Sequence, residues 1–230
     1  MVKENICNCK DCEKGWPVFK VLGKEELEYL NSNRFEAGFK PGEVIFKQGS
    51  PASNVVFLLS GMAKIYMEGQ GDRNLIVDIV RPGKMIVGPG IYTDQRNMYT
   101  VSALNEVRAC FIDSGVIKKM VRQSSAFAEG FITDISYRSE YSLNKLMSMT
   151  QKKMPGRVAE ILLYLSDSVF ESDEFDLFLS RQELADMAGM AKESIVRILK
   201  EFSIEGIIDS GCSRLKINDK VKLNMISMNG

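Results

Sequence analysis

The chain has 230 residues, 45% of them hydrophobic, with 30 Lys plus Arg balanced by 30 Asp plus Glu and no histidine. That length suits two compact domains, and zero net charge excludes a molecule-wide field for nucleic acid or anionic membrane, so any such binding needs a local patch. The missing histidine removes the commonest general base, the commonest zinc ligand after cysteine and the usual proximal haem ligand; triad hydrolysis, His-based metal catalysis and haem are not expected, nor is an enzyme. At the start, "MVKENICNCKDCEKGWPVFK" lacks the basic start, apolar core and cleavage site of a secretory signal. No run approaches the roughly 18 apolar residues of a membrane span, so the expectation is a cytoplasmic protein without a membrane partner. Thiols stay reduced there, so Cys7, Cys9 and Cys12 point to metal or redox chemistry more than to disulfides.

From Phe35 to about Phe111 short apolar runs ("EVIF", "NVVFLLSG", "MAKIYMEGQGD", "NLIVDIVRPGK") alternate with turn signals, including Pro41-Gly42, Pro82-Gly83 and the Gly-rich "GQGD". The pattern predicts an antiparallel barrel or roll. After Asp113 a helical stretch runs to about Lys153 without proline, Gly115 and Gly130 being its weak points. A seven-residue register puts Ser125, Ile132, Ser139 and Leu146 at one seam position and Ala128, Ile135, Ser142 and Met149 at the other. This stripe suits a two-fold dimer seam or a helix lying on the roll. Pro155-Gly156 then opens a new amphipathic helix, making Gln151–Gly156 a hinge. The acidic "DSVFESDEFD" is expected to be a solvated loop or small hairpin.

"LSRQELADMAGMAKESIVRILKEFSIEGII" carries the most information. A helix over about Arg181–Met187, a turn at "AGM" and a second helix over about Lys192–Glu205 form a helix-turn-helix. At 100° per residue Ile195, Ile198, Leu199 and Phe202 share one face of the second helix, and Glu193, Arg197 and Lys200 the opposite one. Arginine can pair with guanine O6 and N7, and a carboxylate can accept from cytosine N4, so Arg197 and Glu193 are the candidate base readers. Lys192, Ser194 and Lys200, with Arg181 at the first helix, are placed for DNA contact, phosphates in the main. "IIDSGCSRLKI" predicts a two-stranded wing offering Arg214 and Lys216. Against DNA stands the balance of eight Lys plus Arg to seven Asp plus Glu from Ser180 onward, which is not a basic patch.

"SRQELADMAGMAKESIVRILKEF", "GRVAEILLYL" and "FKPGEVIFKQGSPASNVVFLLSGMAKIY", in this order, resemble the CRP/FNR transcription regulators over nearly the whole chain. The resemblance implies an α+β chain: a cysteine-containing arm (1–22), an antiparallel β-roll sensor of the double-stranded β-helix or jelly-roll kind (23–115), a dimerisation helix (116–153) and a winged helix-turn-helix (154–230). It also implies a homodimer on double-stranded DNA with an inverted repeat, and contact with RNA polymerase. By position Glu193 and Arg197 match the family's base readers. Lys192 replaces an arginine, losing the two-pronged contact, and Ala191 replaces a capping serine.

The family's cyclic-nucleotide cassette does not carry over. Its Gly-Glu and Arg-Ser/Thr pairs are matched by "IVGPG" and "NMYTVSAL", with Pro89 for the carboxylate and Tyr99 for the arginine. Gly88, Pro89, Tyr99, Thr100 and Ser142 outline the effector pocket, and cyclic AMP is not the expected ligand; the effector is an unidentified small molecule or a redox signal. In the oxygen-sensing branch an arm of cysteines and a fourth in the roll hold a 4Fe-4S cluster, for which Cys7, Cys9, Cys12 and Cys110 are the matching set. All-cysteine zinc and no metal remain open beside it, and Cys212 belongs to none of these sets. The competing reading is a redox- or ligand-sensing protein whose helix-turn-helix is not used for specific DNA binding.

Overall fold

Pro41-Gly42 and Pro82-Gly83 form the turns their chemistry favours. In the computed structural model, which describes residues 16–211 and 214–230, Gly42 and Gly83 adopt φ of 84° and 85°, and Glu43 N–H donates to Lys40 O at 3.0 Å. Proline then glycine at the centre of a turn is the type II arrangement, whose positive φ only a residue without Cβ takes cheaply. The first of these turns joins β1 (Arg34–Phe39) to β2 (Val44–Phe46). After β3 (Asn54–Ser60), β4 (Ala63–Glu68) and β5 (Asn74–Val80), the second leads into β6 (Met85–Ile86), followed by β7 (Thr100–Ala103) and β8 (Val107–Asp113). Two four-stranded sheets result, ordered β1-β8-β3-β6 and β2-β7-β4-β5, with antiparallel pairing such as Val56↔Phe111 and Ile65↔Val101.

Helices cover the first sheet because its residues leave them an apolar face. Trp16, Phe19 and Leu30, from a 3-10 turn (Pro17–Val21) and α1 (Lys24–Ser32), cluster with Phe57, Cys110 and Ile112 of the strands. Trp16 meets Phe127 edge-on at 5.5 Å, and Phe19 lies 5.0 Å from Phe57. Such pairs add about 0.5–1.5 kcal/mol each beyond area burial.

The helical stretch after Asp113 is two helices rather than one. Asp113 caps α2 (Ser114–Gln123), accepting from Gly115 N and Val116 N, so Gly115 lies in a first turn and weakens nothing. Ser124, at φ −122° and ψ 110°, ends α2, and its hydroxyl accepts from Phe127 N at the start of α3 (Ser125–Gln151). A serine that caps the next helix competes with continuation of the last one. Gly130 sits under Val18: a Cβ there would come within 2.6 Å of Val18 Cγ1.

After Lys152 and Lys153, α4 (Met154–Tyr164) starts with Pro155 in its first turn, where the missing N–H costs nothing. At this junction Ser148 Oγ donates to Glu160 Oε2, and Lys152 Nζ pairs with Glu160 Oε1 at 3.1 Å and donates to Ser227 Oγ at 3.2 Å. The acidic stretch departs from a plain loop. It continues α4 as a wide turn (Leu165–Phe170) and then forms β9 (Glu174–Asp176). Its Asp167 and Asp173 both hold Lys220 Nζ, each at 2.6 Å. The rest is α5 (Arg181–Ala188), α6 (Lys192–Ile204), β10 (Ile208–Ser210), β11 (Arg214–Ile217) and α7 (Lys220–Asn229). The wing sheet is three-stranded, β10-β11-β9, because Phe175 of the acidic stretch pairs with Leu215.

By internal packing the described residues divide into two units: those from Trp16 to Met67 with Asp78–Ser139, and those of Glu68–Val77 with Glu140–Gly230. Among the described residues no helix is long and apolar enough to cross a membrane.

Candidate nucleic-acid interface and sensor site

Capping chemistry sets the geometry of the helix-turn-helix. Ser180 Oγ accepts from Glu183 N at 3.2 Å and Glu183 Oε2 accepts from Ser180 N at 2.7 Å, a capping box that fixes the start of α5. Gly189 ends it at φ 59°, and Arg157 Nη1 donates to Ala188 O at 3.0 Å and Gly189 O at 3.3 Å, satisfying carbonyls at the helix end. The turn is close-packed: a Cβ on Gly189 would come 2.4 Å from Met149 Cε. Then α6 begins at Ala191 with no side-chain cap.

On α6 the two faces separate as the periodicity predicts. Ile195, Ile198, Leu199 and Phe202 are buried, whereas Lys192, Glu193, Arg197 and Lys200 are exposed and Ser194 is half-buried. Arg197 Nη1 forms an ion pair with Glu201 Oε1 at 2.8 Å. Arg181 turns inward at the wing, its Nη2 donating to Ser210 Oγ at 2.8 Å and Gly211 O at 3.1 Å. Arg214 Nε lies 3.0 Å from Glu174 Oε1, and Lys216, opposite Asp209, is exposed. The periodicity argument passed over Val196, which is 46% exposed on the same helix. It also missed Glu201, although the i,i+4 spacing to Arg197 was there to be seen.

In the roll, Tyr99 replaces a cation with a neutral group. Desolvation by burial, set against the nearby Arg138 guanidinium, pushes its phenol up to about 12. Its ring lies 3.6 Å from where a Gly88 side chain would begin, so aromatic carbon lines the cassette. Pro89 opens a 3-10 turn (Pro89–Ile91) closed by Ile91 N–H to Gly88 O at 3.3 Å. Thr100 is fully buried, its hydroxyl accepting from Gln48 N at 2.9 Å. Arg138 of α3 donates to Met85 O and pairs with Asp134 at 2.7 Å, while Arg96 donates to Gly49 O at 2.7 Å. Ser142 is exposed on α3, in the other unit.

Cys110 is buried on β8, and Arg34 Nη1 donates to its sulfur at 3.6 Å. That guanidinium also pairs with Glu36 at 2.7 Å. Cys7, Cys9, Cys12 and Cys212 lie outside the described residues. The described chain begins at Trp16, four positions after Cys12 and in the packed cluster that contains Cys110.

A β-roll followed in the chain by a long helix and a winged helix-turn-helix defines a protein that carries a DNA-binding module. Residues 37–124 match the cyclic nucleotide-binding domain and residues 156–226 the Crp-like helix-turn-helix domain, together more than half of the chain. The chain belongs to the CRP/FNR family of transcription regulators. It is 24% identical over 211 residues to a CRP-like cAMP-activated global transcriptional regulator of Mycobacterium tuberculosis, covering 90% of this chain and 94% of that one. It is also 24% identical over 224 residues to the transcriptional activator protein Anr of Pseudomonas aeruginosa, covering 94% and 91%. The structure of FixK2 from Bradyrhizobium japonicum superposes with a TM-score of 0.77 at 18% identity, over 84% of this chain and 96% of that one.

Proposed function

We propose that the chain acts as a homodimer that binds an inverted-repeat operator and contacts RNA polymerase from there. The supporting observation is the division of α6, with a wholly apolar buried face and Glu193, Arg197 and Lys200 exposed together. The dimer seam is α3, where Ile132, Ile135, Leu143 and Leu146 stand exposed along one stripe; an apolar stripe of this length is what a second identical helix would bury. Two recognition helices related by a two-fold axis require half-sites about one helical turn apart. Selection from random duplexes, with sedimentation of the selected complex, tests this. One palindromic motif bound by two chains is expected; absence of any motif would favour a sensor that does not use its helix-turn-helix on specific DNA.

The signal, on this reading, is not a cyclic nucleotide. Pro89 cannot accept a ribose hydrogen bond through a side chain, the neutral Tyr99 phenol offers no charge to a cyclic phosphate, and Arg96 is spent on Gly49 O. Millimolar cyclic AMP should leave both the unfolding midpoint and operator affinity unchanged. Thiols are the better candidates. Cys7, Cys9, Cys12 and Cys110 suit a 4Fe-4S cluster in number and kind, and the one described among them packs in the apolar cluster that contains Trp16. Bound there, the cluster would supply oxygen-sensitive redox chemistry.

A further inference from the structure

We infer that Val196 is a base reader that recognises the methyl group of a thymine; this rests on the DNA-binding reading above. Val196 is 46% exposed on α6, on a helix whose other apolar side chains are buried except Ile204 at the far end. A lone exposed apolar residue usually means nothing. Its position gives this one meaning. At 100° per residue Val196 falls inside the arc that runs from Lys192 through Lys200 and Glu193 to Arg197, and Lys192 and Lys200 are its neighbours one turn before and one turn after. It lies in the first two turns of α6, the part of a recognition helix that meets base edges. Ile204 lies in the last turn, beyond that reach.

Nor does the free fold account for it. Val196 takes no part in the buried face formed by Ile195, Ile198, Leu199 and Phe202, and a β-branched residue at an exposed helical position is a poorer helix former than the lysines and arginine around it. In the major groove the apolar partner for such a side chain is the C5-methyl of thymine, the one apolar group among the base edges. Glu193, Val196 and Arg197 would then read cytosine, thymine and guanine, three chemically distinct edges, from adjacent positions on one helix.

The test uses the full-length protein and an operator selected from random duplexes. Each thymine is replaced in turn by uracil, which removes only the methyl group. At one symmetry-related thymine per half-site the affinity should fall about fourfold, the worth of one buried methyl-sized group. Val196→Ala should bind thymine and uracil operators equally at that position, while Val196→Thr, which keeps a methyl, should retain discrimination; the unchanged unfolding midpoint of both variants would show that the fold is intact. A selected operator indifferent to every uracil, or a Val196→Ala variant that still discriminates, overturns the assignment and leaves the DNA-binding reading standing. Failure to select any operator overturns both.

Discussion

Arg197 Nη1 stands 2.8 Å from Glu201 Oε1, one turn apart on the exposed face of α6. More than half of the Arg197 side chain remains exposed, so the pair contributes little to stability, about 0.5 kcal/mol or less. Its consequence is orientational: the carboxylate holds one edge of the guanidinium and leaves the other for a base. Glu201→Gln should therefore leave the thermal midpoint nearly unchanged. It should raise affinity for non-specific DNA, since a negative charge near phosphates is lost, and lower the preference for guanine at the Arg197 position. Competition binding with selected and scrambled duplexes measures both; an unchanged ratio would show that Glu201 does not position Arg197.

Arg197 and Lys200 share the exposed face but should fail differently. Arg197→Ala is expected to cost roughly 1–3 kcal/mol on the operator and relax one guanine position. Lys200→Ala should weaken every sequence alike and reduce the salt slope by about one. Titrations at several salt concentrations separate the two, and an Arg197→Ala variant with unaltered base preference would contradict the face assigned to reading.

What local chemistry dictates was legible beforehand. Pro41-Gly42 and Pro82-Gly83 announced their turns, "AGM" marked the end of α5, and four apolar residues on one stripe fixed which side of α6 is buried. Tertiary pairing was not. Ser124 is an ordinary residue within a helical pattern until its hydroxyl takes Phe127 N, and the strand Glu174–Asp176 is acidic and short, held by its pairing with Arg214–Lys216, where Phe175 has Leu215 opposite. The destinations of Arg181 and Arg214, on Ser210, Gly211 and Glu174, are likewise contacts between segments distant in sequence.

Ala191 leaves the first turn of α6 without a side-chain cap, whereas Ser180 caps α5 from both sides. Its backbone is already extended, φ −70° and ψ 148°, as an N-cap requires. Ala191→Ser should thus stabilise the protein by about 1 kcal/mol, seen as a higher denaturant midpoint with unchanged slope. No gain would mean that the new hydroxyl fails to reach the N–H groups of that turn.

Tyr99 links the roll to alkaline pH. Burial raises its phenol from the ordinary 10.0 to about 12 in the folded chain, so the folded state favours the protonated form. The associated stability is fully present below pH 10 and is lost as pH rises through about 12. The wild type should accordingly lose stability over that interval more steeply than Tyr99→Phe, which has no proton to lose. Denaturant midpoints of both proteins across the range test this; parallel curves would place the phenol in contact with water.

Cys110 carries the last prediction. Its sulfur is buried, accepts from Arg34 Nη1 at 3.6 Å and belongs to the cluster containing Trp16, the first described residue after the cysteine arm. With Cys7, Cys9 and Cys12 it makes up four thiols, the ligand number and type of a 4Fe-4S cluster. Protein purified without oxygen should therefore contain iron and sulfide in equal amounts and show visible absorption that air bleaches. Cys110→Ser should lose the colour, and so should Cys7→Ser, Cys9→Ser and Cys12→Ser, while Cys212→Ser keeps it. Because serine is nearly the size of cysteine, the Cys110→Ser fold should survive, which circular dichroism would confirm. A colourless, iron-free protein that still binds its operator after anaerobic reconstitution would leave Cys110 as a core residue beside a structural arginine.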